Sequence, residues 1–157
     1  VIGPVESFPK NIIESYKLIC GWVILGLKKL DIDAKFQPIN DIIVKGKKIS
    51  GNAQTRRNNI LLQHGTILYD VDVEKMFSML RVPDEKTKAN LIKSAEERVT
   101  RILDFKDITT NQAYEAILKG FTQDKEFDMG SLTDEELINA ERLAVSKYET
   151  DEWNCMR

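Results

Sequence analysis

The chain has 157 residues, 42% of them hydrophobic and 31% charged, with 23 basic against 25 acidic side chains and a formal net charge of −2. This is the balance of one globular domain, and it excludes a disordered chain and a general nucleic-acid binder. The longest apolar run, Leu18 to Leu27, is too short to cross a bilayer, and no signal peptide is visible, so a cytoplasmic protein without a membrane or nucleic-acid partner is expected.

The first element is a helix over about Pro9 to Leu30. Ile12, Tyr16, Ile19, Val23, Leu27 and Leu30 recur at steps of three and four and so share one face. Ser7 is the expected N-cap, with Pro9 in the first turn. Cys20 lies in the apolar part of this helix and reads as inert; with Cys155 it forms no CxxC pair, which excludes a disulfide framework. One histidine, His64, is too few for a His-rich metal cluster.

The stretch from Lys35 to Asp70 changes to Asp, Gly and β-branched residues. Asp41-Ile-Ile-Val44, a Lys45-Gly46 turn and Lys47-Lys-Ile-Ser-Gly51 predict a β-hairpin. Regular alternation places Asp41, Ile43, Lys48, Ser50, Asn52 and Gln54 on one face. It places Ile42, Val44, Lys47, Ile49 and Gly51 on the other. Asp41 and Lys48 then become diagonal neighbours, roughly 7–8 Å apart at the backbone. A carboxylate and an ammonium around a shared gap suit phosphate chemistry, with the aspartate on Mg²⁺ and the lysine on an anionic oxygen. The same pair also reads as an ordinary cross-strand ion pair on a solvated face. Gly51 would let a ligand approach the backbone. Arg56-Arg57 reads as a solvated turn or an anion site, leading to a third strand through Gln63-His64-Gly65-Thr66; His64 reads as a structural or binding group, or as a general base.

The remainder reads as helical. A short helix over Asp72 to Leu80 ends before Pro83. Capping-box spacings occur at Ser94–Glu97, Thr109–Gln112 and Thr133–Glu136, with helices following the last two over about 110–121 and 134–148. Ala113, Tyr114, Ile117, Leu118 and Phe121 form the expected buried face of the first. Leu137, Ala140, Leu143, Ala144 and Tyr148 form that of the second. Trp153 is a candidate anchor for the tail. The class is α+β, a mainly antiparallel sheet with packed helices.

The string Asn40-Asp41-Ile-Ile-Val-Lys-Gly-Lys-Lys48-Ile-Ser50-Gly51-Asn52-Ala53-Gln54, followed by Gln63-His64-Gly65-Thr66, resembles lipoate–protein ligase A. The wider group is the biotin/lipoate ligase and octanoyltransferase superfamily, whose fold is similar to class II aminoacyl-tRNA synthetases. Arg81-Val82-Pro83 and the final Glu152-Trp153-Asn154 agree with it. The resemblance implies ATP-dependent activation of lipoate to lipoyl-adenylate and transfer to a lysine of an acceptor domain. Such acceptors are the lipoyl domains of 2-oxo-acid dehydrogenases and the glycine-cleavage carrier. It implies Lys48 as the catalytic residue and Asn40 and Asp41 on the nucleotide and Mg²⁺ side. It implies Ser50, Gly51, Asn52 and Ala53 as pocket lining, flanked by His64, Gly65 and Thr66. The alternatives are an octanoyl or lipoyl transferase of the same fold and a non-catalytic lipoate- or protein-binding fragment; the transferases use a cysteine just upstream of the hairpin, where this chain reads Asp33-Ala-Lys-Phe-Gln-Pro-Ile-Asn-Asp41. The family's Arg-Arg and triple-glycine segment and its accessory domain have no counterpart here. Residues 1–157 are therefore expected to be part of a catalytic domain lacking its early strands, and inactive alone. Within it, 1–70 would hold the helix, sheet and hairpin, and 71–157 the helical remainder. The missing pieces would be an N-terminal segment and an accessory domain or separate subunit.

Overall fold

A computed structural model describes residues 1–79 and 84–156. Five strands form one antiparallel sheet in the order β1-β5-β4-β3-β2: β1 (Ile2–Pro4), β2 (Ala34–Gln37), β3 (Asp41–Val44), β4 (Lys47–Arg57) and β5 (Ile60–Ile67). The chain divides into two compact units, Val1–Asp124 and Lys125–Arg157.

In the first unit, α1 (Ile12–Lys28) lies along one face of the sheet. Its buried apolar side chains are Tyr16, Ile19, Cys20, Val23 and Leu27, of which Cys20, Val23 and Leu27 close on Ile42, Val44 and Ile49 of the sheet. Sealing Leu27 and Ile42 completely from water contributes about 1.5–3 kcal/mol each. The expected stripe holds from Tyr16 to Leu27, while Ile12 is exposed. The N-cap is Asn11, not Ser7. Asn11 Oδ1 accepts from Ile13 N at 2.9 Å and Glu14 N at 3.1 Å, whereas Ser7 ends a separate single turn of 3-10 helix, Val5–Ser7. The carbonyls of Pro9 and Lys10, just before the cap, are taken by Arg56.

Helix α4 (Thr110–Thr122) begins at the expected Thr109–Gln112 capping box and packs on α1 through small residues. Ala113, Ala116 and Gly120 are its buried positions, and Tyr114, expected in that face, is 63% exposed. The reason is close backbone approach: a Cβ at Gly120 would meet Gly26 N and Trp22 O at 2.3 Å. Trp22 and Phe121 flank this contact with ring centroids 5.8 Å apart.

Helix α2 (Val73–Ser78) starts at Asp72 as expected, with Lys75 N donating to Asp72 Oδ1 at 2.8 Å; its expected end at Leu80, and Arg81-Val82-Pro83, lie outside the described residues. Helix α3 (Glu85–Arg98) is capped by Asp84, whose Oδ1 accepts from Thr87 N at 2.9 Å. Ser94 therefore sits inside a helix instead of capping one. Beyond α3, Thr100 N donates to Lys48 O and Ile102 N to Leu68 O, at 2.9 and 2.8 Å, stitching this segment to the ends of β4 and β5.

The second unit contains α5 (Asp134–Leu143), capped by the expected Thr133–Glu136 box, a π-helical turn over Ala144–Tyr148, and α6 (Asp151–Asn154). The face expected to be buried is not: Leu137, Leu143 and Tyr148 are about half exposed, and neither α5, the π-turn nor α6 has a buried residue. Trp153 packs edge-on against Tyr148, centroids 5.3 Å apart, and Lys147 Nζ lies 4.3 Å over its ring. Among the described residues, no helix is long and apolar enough to cross a membrane.

Candidate active site

The hairpin β3-β4 turns at Lys45 and Gly46, both with positive φ (49° and 80°), as a two-residue turn matching the strand twist requires. Val44 pairs with Lys47 and Ile43 with Lys48, as alternation predicts. The register then shifts: Ile42 pairs with Ser50 and Asp41 with Gly51. This β-bulge turns the consecutive residues Ile49 and Ser50 toward α1, where both are buried.

The bulge divides the residues that strict alternation grouped together. Asp41, Lys48 and Gly51 share the face opposite α1, since a Cβ at Gly51 would lie 2.8 Å from Lys48 Cε and 3.8 Å from Asp41 Oδ1. Ala53 follows two residues on, and the pairs Gly51–Thr66 and Ala53–His64 carry this face across to β5. Lys48 Nζ reaches Asp41 Oδ1 at 2.7 Å. The contact has ion-pair distance without hydrogen-bond alignment, so Asp41 Oδ1 is buried with no directional donor. Lys48 is 42% exposed along its side chain. Asp41 and Lys48 border a cleft of about 500 Å³ whose other wall is Leu91, Ser94, Ala95 and Arg98 of α3 and the following Val99. The sequence reading missed this second wall; its available signal was Asp84-x-x-Thr87, a helix start directly after Pro83.

Ser50, Asn52 and Gly65 belong to the α1 side. Gly65 makes room for Asn52, whose Oδ1 would lie 2.2 Å from a Cβ there. Asn40 donates its amide to Asn52 O at 2.5 Å and accepts at its own backbone O from Asn52 Nδ2 at 3.0 Å. Asn40 thus fixes the loop that delivers Asp41. A half-buried polar chain continues on this side. Gln54 Nε2 donates to Gln63 Oε1 at 2.8 Å, Ser15 Oγ donates to Gln54 Oε1 at 3.0 Å, and Arg56 Nη2 donates to Ser15 Oγ at 2.8 Å. Arg56 is therefore a structural staple inside β4, and the turn expected at Arg56-Arg57 lies one step later, at Asn58-Asn59 (φ 52° and 60°). Gln63 Nε2 points to Cys20 Sγ at 3.8 Å, and burial pushes the Cys20 thiol up to about 11.

This face, with its paired cation and carboxylate on a bulged hairpin, corresponds to a known domain. The profile of the lipoyl protein ligase A/B catalytic domain matches residues 1–122. The chain belongs to this family. Its curated relatives include octanoyltransferase LipM of Brevibacillus brevis, 33% identical over 96% of this chain and 64% of the relative, and LipM of Staphylococcus aureus, 31% identical over 94% and 63%. Among solved structures it is similar to a bi-partite lipoate protein ligase of Thermoplasma acidophilum, studied with its E2 lipoyl domain, at a TM-score of 0.87 and 30% identity over 98% of this chain and 61% of that one. A lipoate-protein ligase A bound with ATP superimposes at 0.79 with 27% identity, over 98% and 62%. Biotin protein ligase of Aquifex aeolicus, at 0.52 and 17% identity, shares the fold. The chain spans less than two thirds of the length of these curated relatives. The expected α+β class and the resemblance to the lipoate ligase family are both borne out.

Proposed function

We propose that this chain carries the reacting centre of an ATP-dependent lipoate–protein ligase, as part of a larger catalytic domain. The observation that carries the reading is the Lys48–Asp41 pair on the open sheet face, on a run from Asp33 to Ile67 that holds no cysteine. Lys48 would neutralise the lipoate carboxylate and α-phosphate oxygens while the carboxylate attacks phosphorus and pyrophosphate departs. It would then stabilise charge as the acceptor lysine's amine attacks the acyl carbon, loses a proton and displaces AMP. Asp41, whose buried Oδ1 has no aligned donor, fits a cation, and with the side-chain oxygen of Asn40 it would hold Mg²⁺. The ion would draw charge from the phosphates. Gly51, Ala53, His64 and Thr66 would border the adenylate, and Ser50, Asn52 and Gly65 would support them from behind. Arg98 would face the phosphates across the cleft. The acceptor would be a lipoyl domain of a 2-oxo-acid dehydrogenase or a glycine-cleavage carrier.

The names of the curated relatives favour a second reading, octanoyl transfer without ATP. That chemistry needs a thiolate beside the lysine. Cys20 is buried beneath the sheet with its proton held to about 11, and the segment from Asp33 to Asp41 that leads into the hairpin has no cysteine. ATP–pyrophosphate exchange dependent on lipoate, measured on the intact protein, separates the readings. Exchange that disappears in Lys48→Ala supports the ligase; octanoyl transfer from an acyl-carrier thioester without ATP would replace it with the transferase.

A further inference from the structure

Lys48 and Gly51 are three positions apart on one strand, a spacing that regular alternation sends to opposite faces. The bulge brings both to the same face. The space where a side chain at 51 would begin is filled by the lysine: a Cβ there would lie 2.8 Å from Cε and 2.9 Å from Nζ. We infer that Gly51 is a positioning residue for Lys48, giving its side chain a bare stretch of backbone to lie across so that the ammonium meets Asp41.

A lysine has a long flexible stem, and holding it in one conformation costs entropy. A partly exposed ion pair is a weak tether by itself. The remaining restraint is steric. Thr100 N donates to Lys48 O at 2.9 Å and fixes the root of the side chain, Gly51 supplies the floor, and Asp41 ends the path. A methyl at 51 collides only with the far end of this flexible side chain, so the strand survives while the ammonium is displaced.

The test combines competitive acetylation of lysine amines, read by mass spectrometry, with thermal melts. The proteins are wild type, Gly51→Ala, Asp41→Asn and the double variant. Gly51→Ala is expected to melt as wild type and to raise Lys48 acetylation about two- to fivefold, the worth of a lost exposed ion pair. Asp41→Asn should do the same, with no further rise in the double variant. Unchanged Lys48 labelling in Gly51→Ala, or additive effects in the double variant, would overturn the inference. If Gly51→Ala alone unfolds, the Lys48→Ala/Gly51→Ala protein must fold, because the colliding atoms are gone; unfolding there also overturns it. The catalytic consequence rests on the ligase reading: kcat for lipoate activation falls about 100-fold in Gly51→Ala, with KM for lipoate unchanged. Wild type inactive in exchange, with the labelling pattern intact, would defeat the ligase reading and uphold the positioning role.

Discussion

Asn40 and Asn52 hold each other across the entrance to the hairpin: Asn40 Nδ2 donates to Asn52 O at 2.5 Å, while Asn52 N and Nδ2 donate to Asn40 O at 3.1 and 3.0 Å. The residue after Asn40 is Asp41, so this clasp sets where the carboxylate stands relative to Lys48. Asn52→Ala removes one donor to a partly buried carbonyl and is expected to cost about 1–3 kcal/mol in urea unfolding. On the ligase reading proposed above, activity at saturating ATP should fall with it although no ligand atom is removed. Wild-type stability in this variant would show that the clasp is ornamental.

Lys48→Arg keeps the charge but replaces a compact ammonium lying against Gly51 with a longer, planar fork that carries the charge at a different place. Pyrophosphate exchange is expected to drop about 100-fold or more, close to the loss in Lys48→Ala. Substantial rescue by arginine would mean that charge alone, without placement, suffices.

The α1–α4 contact gives a pair of opposite outcomes. A Cβ at Gly120 meets backbone atoms of Trp22 and Gly26 at 2.3 Å, which no rotamer relieves, so Gly120→Ala should destabilise the fold by about 3 kcal/mol. Gly21, on the same α1, has nothing within 4 Å of its added Cβ, and Gly21→Ala should stabilise by about 0.5–1 kcal/mol. Thermal melts of the two variants decide both.

The cysteines should separate by reactivity. At pH 8 iodoacetamide is expected to modify exposed Cys155 and spare buried Cys20, with both reacting in denaturant. Burial holds the Cys20 proton to about 11 against an ordinary 9.0. The folded state therefore binds this proton more tightly than the unfolded chain. Its contribution to stability is complete below pH 9 and is lost as pH rises toward 11. Cys20→Ala should flatten the alkaline limb of the pH–stability curve; an unchanged limb would assign it to other groups.

Much of this was legible in the sequence because it is written locally. Lys45-Gly46 announces its turn, the stripe from Tyr16 to Leu27 announces α1, and the Thr109 and Thr133 boxes announce their helices. What was not legible depends on partners distant in sequence. The Ile49-Ser50 bulge has no local signature, since two inward residues in a row look like ordinary alternation until the register with β3 is known. Small Ala116 and Gly120 displaced Tyr114 from the helix contact because closeness there outweighs side-chain area. Ser94 copied a capping box inside a helix already started at Asp84. The Asp41–Lys48 meeting was anticipated; which other residues share that face was not, because the bulge reassigns them.

The extra residue in β4 also separates two kinds of constraint on one short run. Between Lys48 and Gly51 the strand offers two inward places, filled by an aliphatic anchor and a buried hydroxyl, while its outward side shows only the lysine and the bare backbone. Exchanges at 49 and 50 act on packing, and exchanges at 48 and 51 act on the cation's address. Within those four residues, drift in the interior and drift in the chemistry proceed on separate letters of the sequence.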